Sequence, residues 1–458
     1  MYRLVAPMTN PSHPLLKDAL WSAQGLDANK PSIVLAYSGG LDTSVSIPWL
    51  RENHDANVIA VTVDLGQQED LKAIQRKAVA SGAALAVVVD ATEPFADHYV
   101  ALAIKGNLLY QGVYPAGTAL ARPLISEVLV GVAQALGATA IAHGCTAKGN
   151  DQVRFEVAVA ALAPHLSVIA PMRVWQATRE EELAYAASHD VPVSATTRSP
   201  FSTDENLWGR SVEAGVLEDP FVAPPEEAFA WTVSPQSAPD EPLEVTLTFE
   251  GGLPVALEGT RSNLKELITA LNDIAGRHGV GRIDHVEDRV VGLKSRELYE
   301  YPAATVLLVA HKKLEQLTLT RGTLALKRTL EATYAQLAYD GLTFSQEFSV
   351  LSAFMEESQR VVDGEVVVRL YKGAATAVGV RSPKALYSEA LATYSSGDRF
   401  KHDAAEGFIY IHSLAPRTTS AVQGAPRGAL GVGDAGTSVA PTETAQPPSL
   451  GSTSWTHQ

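Results

Sequence analysis

Three things are scarce in this chain, and each scarcity removes a class of protein. Cysteine occurs once in 458 residues, at Cys145. A single thiol excludes an intramolecular disulfide framework and any zinc site built on paired cysteines, and it fits the reducing cytoplasm. Positive charge is short as well, with 36 Lys and Arg against 51 Asp and Glu and a net charge of −15. A surface of that sign repels phosphate backbones and gains nothing from counterion release, so no nucleic-acid partner is expected. Uncharged apolar runs of the ~18 to 20 residues that span a bilayer are not found either, so no membrane is expected. The opening MYRLVAPMTNPSHPLL carries prolines where a secretory signal needs an unbroken apolar segment.

What is present is ample apolar side chain, 46% hydrophobic against 19% charged. That is enough to build a sizeable core and to exclude a disordered or fibrous chain. Residues 1–31 read as an extension ahead of the fold. From 32 to 192, short apolar blocks alternate with amphipathic stretches. SIVLAY, NVIAVTVDL, ALAVVVD, TAIAH and LSVIAP lack period-two alternation and suit strands buried on both faces. In the segment 121–136, Leu124, Val128, Val132 and Leu136 recur every four residues as one helix face. The expected fold class for this part is α/β with a doubly wound parallel sheet.

Residues 193–414 read as a second, α+β domain. A hairpin is expected at Gly251 and Gly252, helices near 262–275 and 348–361, a long stretch over 302–317, and a strand pair at VVVRLYKG and ATAVGVRS. Residues 415–458 are rich in Gly, Ala, Pro, Ser and Thr, show no apolar stripe, and are expected to be disordered.

The strongest local signal is a buried strand running into Ser38, Gly39, Gly40, Leu41, Asp42, Thr43 and Ser44 and then a helix. Paired glycines let the backbone approach a ligand closely, and the amides at a helix start attract phosphate. The spacing is not that of a Walker loop, since no lysine follows the glycines. The plain alternative, a strand-to-helix turn capped by Asp42 and Thr43, leaves the three hydroxyls and the acid unexplained.

This loop resembles the SGGxDS motif of the ATP pyrophosphatase superfamily, whose members cleave ATP between the α and β phosphates to adenylate an oxygen. AHGCTAKGNDQVRFE (142–156), DENLWGRSVEAGVLEDP (204–220) and RHGVGRIDHVEDRVVGLKSRELYEYPAAT (277–305) are similar, in order, to segments of the argininosuccinate synthase family. The resemblance runs from about residue 32 to 414. It implies a C–N bond-forming ligase of arginine biosynthesis that adenylates citrulline with ATP and Mg²⁺ and then displaces AMP with aspartate. The same family forms homotetramers through a C-terminal helix, which the tail composition here speaks against. The runner-up readings are a tRNA-modifying enzyme of the superfamily, opposed by the charge and the lone cysteine, and a catalytically silent ATP-binding protein.

By position, the resemblance assigns Ala36, Tyr37, Ser38, Gly39, Gly40, Leu41, Asp42, Thr43 and Ser44 to ATP, with Val63 at the nucleotide's edge and Gly144 completing the site. Lys148 is expected on a phosphate, and Asp42 is the one protein residue expected near Mg²⁺. Thr118, Thr146 and Asn150 are implied for aspartate, with Asp151 meeting its amine and accepting a proton. Tyr114, Asn150, Arg154, Ser202, Ser211, Glu287 and Tyr299 are implied for citrulline, where Arg154 suits a carboxylate and Glu287 an ammonium. Asp42, Asp151 and Arg154 are the expected catalytic residues. Without the resemblance, Asp151 and Arg154 read equally as an i, i+3 surface ion pair, Tyr114 and Tyr299 as packing, and Cys145 as a small filler. Ala119 stands where the family has a serine that touches citrulline, and Ala147 where it has glycine, which raises the question of a positive φ there.

Overall fold

The computed structural model describes residues 20–23, 25–192, 201–395, 397–426 and 428. The first sheet has six strands in the order β1-β4-β3-β2-β5-β6, where β1 is Leu20–Ala23, β2 Ser32–Ala36, β3 Asn57–Asp64, β4 Leu85–Asp90, β5 Ala140–His143 and β6 Ser167–Ile169. Strands β2 to β6 pair in parallel, as the apolar blocks require. Alternate strand residues feed two different cores. Ile33, Leu35, Val58 and Ala60 pack with Ile47 and Leu50 of helix α1 (Leu41–His54) and Ala78 of α2 (Leu71–Ala80). Val34, Ile59, Val61 and Val87 face the other way, toward Leu124, Val128 and Val132 of α3 (Gly117–Leu136). Helices on both faces make the sheet doubly wound.

One expectation needs correction here. Residues 20–23 are not ahead of the fold: β1 pairs antiparallel with β4, from Leu20↔Val88 to Ala23↔Leu85, and covers the sheet edge. Helix α3 is, by length and composition, apolar enough to cross a membrane, yet 67% of that window is buried inside the protein, which marks it as a core helix.

Further along the chain the strands pair antiparallel. One sheet of five runs β11-β10-β9-β14-β15, where β11 is the short strand Thr260–Arg261, and one of four runs β12-β13-β8-β7. The expected hairpin at Gly251 and Gly252 joins β9 (Leu243–Glu250) to β10 (Leu253–Leu257), and the expected pair near the end forms β14 (Gly364–Tyr371) and β15 (Ala374–Arg381). The four-stranded sheet consists of β7 (Ser202–Asn206), β8 (Gly209–Glu213), β12 (Arg282–Asp288) and β13 (Lys294–Glu300). Helices α4 (Asp151–Leu162), α5 (Pro302–Thr318), α6 (Arg321–Tyr339) and α7 (Gln346–Gln359) complete the parts used below. Helix α6, opened by the Thr320 side chain accepting from the Thr323 amide, has no counterpart in the sequence reading. One buried apolar cluster continues from Val34 in the first sheet through Leu307 of α5 to Leu370 of β14.

Beyond Leu386 a second compact unit begins. It contains the helices Asp403–His412 and Leu414–Gln423, and the second of these replaces the disorder expected from 415, at least to Gln423. The sequence reading missed that second helix because alanine, serine and threonine give it no apolar stripe. Phe408, Ile409, Tyr410 and Ile411 lie exposed on the first of these helices. The remainder of the tail reading, residue 427 and residues 429–458, and the boundary at 193–200 lie outside the described residues.

Candidate active site

The glycine loop between β2 and α1 is shaped by its own residues. Gly39 has φ +78°, a conformation that favours glycine, and a Cβ there would press on Ile74 at 3.1 Å. Gly40 is the N-cap and brings no side chain to the first amides of α1, which leaves them for a ligand. The hydroxyls are ordered among themselves: Ser38 Oγ lies 3.3 Å from Thr43 Oγ1, and Ser44 Oγ donates to the Gly40 carbonyl at 2.6 Å. Tyr37 closes the floor, its hydroxyl 3.0 Å from Ser44 Oγ and its backbone held between Val61 and Thr62 of β3. Val63, two residues on, is buried at the end of that strand. Lys77 of α2, unnoticed in the sequence, donates to the Gly39 carbonyl at 2.6 Å.

Gly144 meets this loop from β5, where a Cβ would fall 2.7 Å from the Thr43 methyl. The loop that follows exposes Thr146, Ala147 and Lys148. Ala147 does not have positive φ, so the alanine costs nothing there. Beneath the loop, His143 lies 3.3 Å from Glu156, which pairs with Arg173 at 2.5 Å. Burial pushes the Cys145 thiol well up, which leaves it unreactive.

Asp42 projects from the first turn of α1, 3.6 Å from Arg179. Glu182 hydrogen-bonds it from the helix Arg179–Ser188, and burial followed by the Asp42 charge raises the Glu182 carboxyl to about 7.

A second group of residues gathers at the start of α4. Asp151 accepts from Arg122 of α3 at 3.0 and 2.8 Å and from Arg154 at 3.1 Å. Arg122 also binds Asp204 of β7, so it bridges two carboxylates, one on helix α4 and one on a strand of the four-stranded sheet. Burial alone would raise the Asp151 carboxyl, but Arg122 and then Arg154 outweigh it and hold it below the usual range. A carboxylate held so is a good partner for a cation and a weak base, which corrects the expectation that it accepts a proton. The i, i+3 pair of the sequence reading is real, yet buried: Arg154 is 3% exposed. Its Nε donates to the Tyr339 carbonyl at 3.0 Å, its guanidinium lies 4.8 Å from the Tyr339 ring centre, and its Nη2 is buried without a partner.

The third group is a tyrosine well. Tyr114 stacks on Tyr299 with ring centres 4.2 Å apart, and Tyr110 on Tyr339 at 3.5 Å. Glu287, 2% exposed, accepts from both the Tyr299 and the Tyr339 hydroxyls. Tyr301 fits beside Gly117 and Gly209, where a Cβ would fall 2.4 and 2.2 Å from its atoms. The Thr118 amide donates to the Tyr114 hydroxyl at 3.0 Å, while Ala119 is wholly buried. Ser211 pairs across the sheet with both Tyr299 and Asp204. Ser202, two residues before Asp204, is exposed and makes no contact with the well. Asn150 has both ends of its amide engaged, by the Val290 amide at 2.8 Å and the Tyr339 hydroxyl at 2.8 Å.

These contacts close a circuit: Arg154, Asp151, Arg122, Asp204, Ser211, Tyr299, Glu287, Tyr339 and back to Arg154. It joins Asp151, Arg154, Ser211, Glu287 and Tyr299 of the expected set, with Tyr114 stacked on it and Asn150 bonded to it. Arg122, Asp204, Tyr110, Tyr301 and Tyr339 were missed. The apolar segment 121–136 contains Arg122, and a lone arginine in such a segment is a signal that was available.

Family models match the chain in two blocks: residues 32–192 match the arginosuccinate synthase N-terminal HUP domain, and residues 201–419 its C-terminal domain. The argininosuccinate synthase of Chlorobium chlorochromatii (strain CaD3) is 51% identical over 391 residues, covering 85% of this chain and 98% of that one. That of Symbiobacterium thermophilum is 54% identical over 395 residues, covering 86% of this chain and 98% of that one. A glycine loop at the strand ends, a well lined by opposite charges and matches along nearly the full length of these relatives agree: the chain belongs to the argininosuccinate synthase family.

Proposed function

We propose that this chain is an ATP-dependent ligase that joins L-citrulline to L-aspartate through a citrullyl adenylate, giving argininosuccinate, AMP and pyrophosphate. The observation that carries the reading is the unpartnered, buried Arg154 Nη2 beside the anionic Glu287, one positive and one negative group waiting for an amino-acid zwitterion.

In the first step the ureido oxygen attacks the α-phosphorus and pyrophosphate leaves. The α1 amides and the Ser38, Thr43 and Ser44 hydroxyls hold phosphate oxygens, and Gly144 lets the β5 loop close over Thr43. Asp42, at the first turn of α1 with Glu182 beside it, would hold a Mg²⁺ arriving with ATP, and the ion would supply positive charge for the departing pyrophosphate. Arg154 clamps the citrulline carboxylate, Glu287 holds its ammonium, and Tyr114 and Tyr299 wall the side chain. In the second step the aspartate amine displaces AMP. Its ammonium is drawn to Asp151, and its carboxylates meet Arg122, Thr118, Thr146 and Asn150. Positioning and fixed charge supply the acceleration, since no covalent protein intermediate is needed.

By the family resemblance the assembly is a cytoplasmic homotetramer. The apolar residues exposed on the helix Asp403–His412 support an interface there, and light scattering of the purified chain tests the subunit count. For the chemistry, pyrophosphate release from ATP is expected only with citrulline, and AMP and argininosuccinate only once aspartate is added. Citrulline-independent turnover, or transfer to tRNA, would overturn the reading.

A further inference from the structure

Tyr339 ends helix α6, far in sequence from every residue assigned above, and touches both charges of the well. Its carbonyl fixes Arg154 Nε, and its ring lies under that guanidinium. Its hydroxyl reaches the other charge. The directions of the hydrogen bonds there are settled by what lies behind. The Asn150 Oδ1 takes the Val290 amide, so the Asn150 Nδ2 donates to the Tyr339 oxygen. The Tyr339 proton therefore points at Glu287, whose other oxygen takes the Tyr299 proton. Both phenols stay protonated, because burial, with the neighbouring charges, raises their pKa values well above the ordinary tyrosine range.

We infer that Tyr339 is the positioning residue that sets the separation of the Arg154 cation from the Glu287 anion, and so selects an α-amino-acid headgroup in the first substrate. The two charges come from helix α4 and from strand β12 of the four-stranded sheet, and Tyr339 contacts both of them. Each half of the residue serves one half of the zwitterion: the hydroxyl serves the ammonium site, the ring and carbonyl serve the carboxylate site. This rests on the proposal that citrulline occupies the well.

The division is testable by citrulline-dependent exchange of pyrophosphate into ATP, with two analogues that each lack one charge. 5-Ureidopentanoate has no α-amine, and N-carbamoylputrescine has no carboxylate. Tyr339→Phe keeps the ring and carbonyl and loses the hydroxyl. It should raise the citrulline KM roughly tenfold with little change in kcat or in the aspartate KM, as the loss of a hydrogen bond to a charged group does. Preference for citrulline over 5-ureidopentanoate should shrink by the same roughly tenfold factor, and preference over N-carbamoylputrescine should not move. Tyr339→Leu, which also removes the ring, should lower both preferences. If Tyr339→Phe leaves both preferences at the wild-type values, or lowers both equally, the inference is wrong while the citrulline reading stands. If the wild-type protein shows no citrulline-dependent exchange at all, the functional reading itself has failed.

Discussion

Among the described residues, two of the buried charge networks are finished differently. Between helices α5, α6 and α7, Lys327 is fully buried with its ammonium 2.9 Å from Glu315 and 2.7 Å from Glu331. Asn107 donates to both carboxylates, Gln359 donates to Glu315, and the two nitrogens of the buried His311 reach the Asn107 and Gln359 oxygens. None of these groups is among the buried atoms that lack a partner. At the mouth of the tyrosine well the elements are similar, with Arg122 and Arg154 against Asp151 and Asp204, but one strong donor, Arg154 Nη2, is left over. Desolvating a guanidinium N–H without a partner is costly, and a fold that completes one network so thoroughly does not leave the other open by default. The closed network serves the fold. The open one keeps its spare donor for the carboxylate of the proposed substrate.

The largest effect expected from this contrast is on stability, at the closed network. Lys327→Met removes the cation and leaves Glu315 and Glu331 buried and facing each other, which should cost about 3 to 5 kcal/mol of unfolding free energy. The citrulline KM of the folded fraction should hardly move. Denaturant titration alongside steady-state kinetics reads both numbers. A loss of stability under about 1 kcal/mol would mean that the network is no more than an ordinary surface pair.

The open network should show the reverse. Arg154→Gln removes two charge-assisted bonds to a carboxylate, about 3 kcal/mol or roughly a hundredfold in kcat/KM for citrulline. The ATP requirement should stay close to wild type, since no contact joins Arg154 to the glycine loop. The melting temperature should change little, because Arg122 still neutralises Asp151 and the unpaired N–H has gone. Equal losses for citrulline and ATP, or a protein as crippled in folding as Lys327→Met, would erase the distinction between the two networks.

Legibility in the sequence follows the same line. The glycine loop could be read because its chemistry is contiguous: Ser38 to Ser44 supply the turn, the amides and the hydroxyls within one stretch. The parallel sheet could be read because its strands are buried on both faces and carry unbroken apolar runs. The well could not be read without the family, since Tyr114, Glu287, Tyr299 and Tyr339 acquire meaning only as a stack and a pair of phenol–carboxylate bonds joining a loop, two strands and a helix that lie far apart in the chain. Taken singly, a tyrosine on an amphipathic stretch is a packing residue, and even that reading is half true of Tyr114 and Tyr299, which are both packed and polar. Helix α6 was missed altogether, and Tyr339 with it. The edge strand Leu20–Ala23 was missed for a simpler reason: four residues gain their hydrogen bonds from a partner about 65 positions away, and nothing local marks them.

The smallest effect concerns the place where the chain departs from its family. Ala119 follows Thr118 on the first turn of α3, wholly buried against the tyrosine well, in a position where the family has a serine. The two possible consequences of restoring the hydroxyl have opposite signs. If the hydroxyl reaches the bound citrulline, Ala119→Ser gains one neutral hydrogen bond, about 1 kcal/mol, and the citrulline KM falls several-fold. If it stays enclosed by the helix and the rings, it is a buried polar group with only the Pro115 or Ala116 carbonyl within reach along the helix, and the protein loses stability with no gain in binding. The first outcome is expected, because the Tyr114 hydroxyl that takes the Thr118 amide already brings polar atoms to that turn. An unchanged KM with a lowered melting temperature would show that this chain has closed the wall at Ala119 and binds its substrate through the two charges and the stacked tyrosines alone.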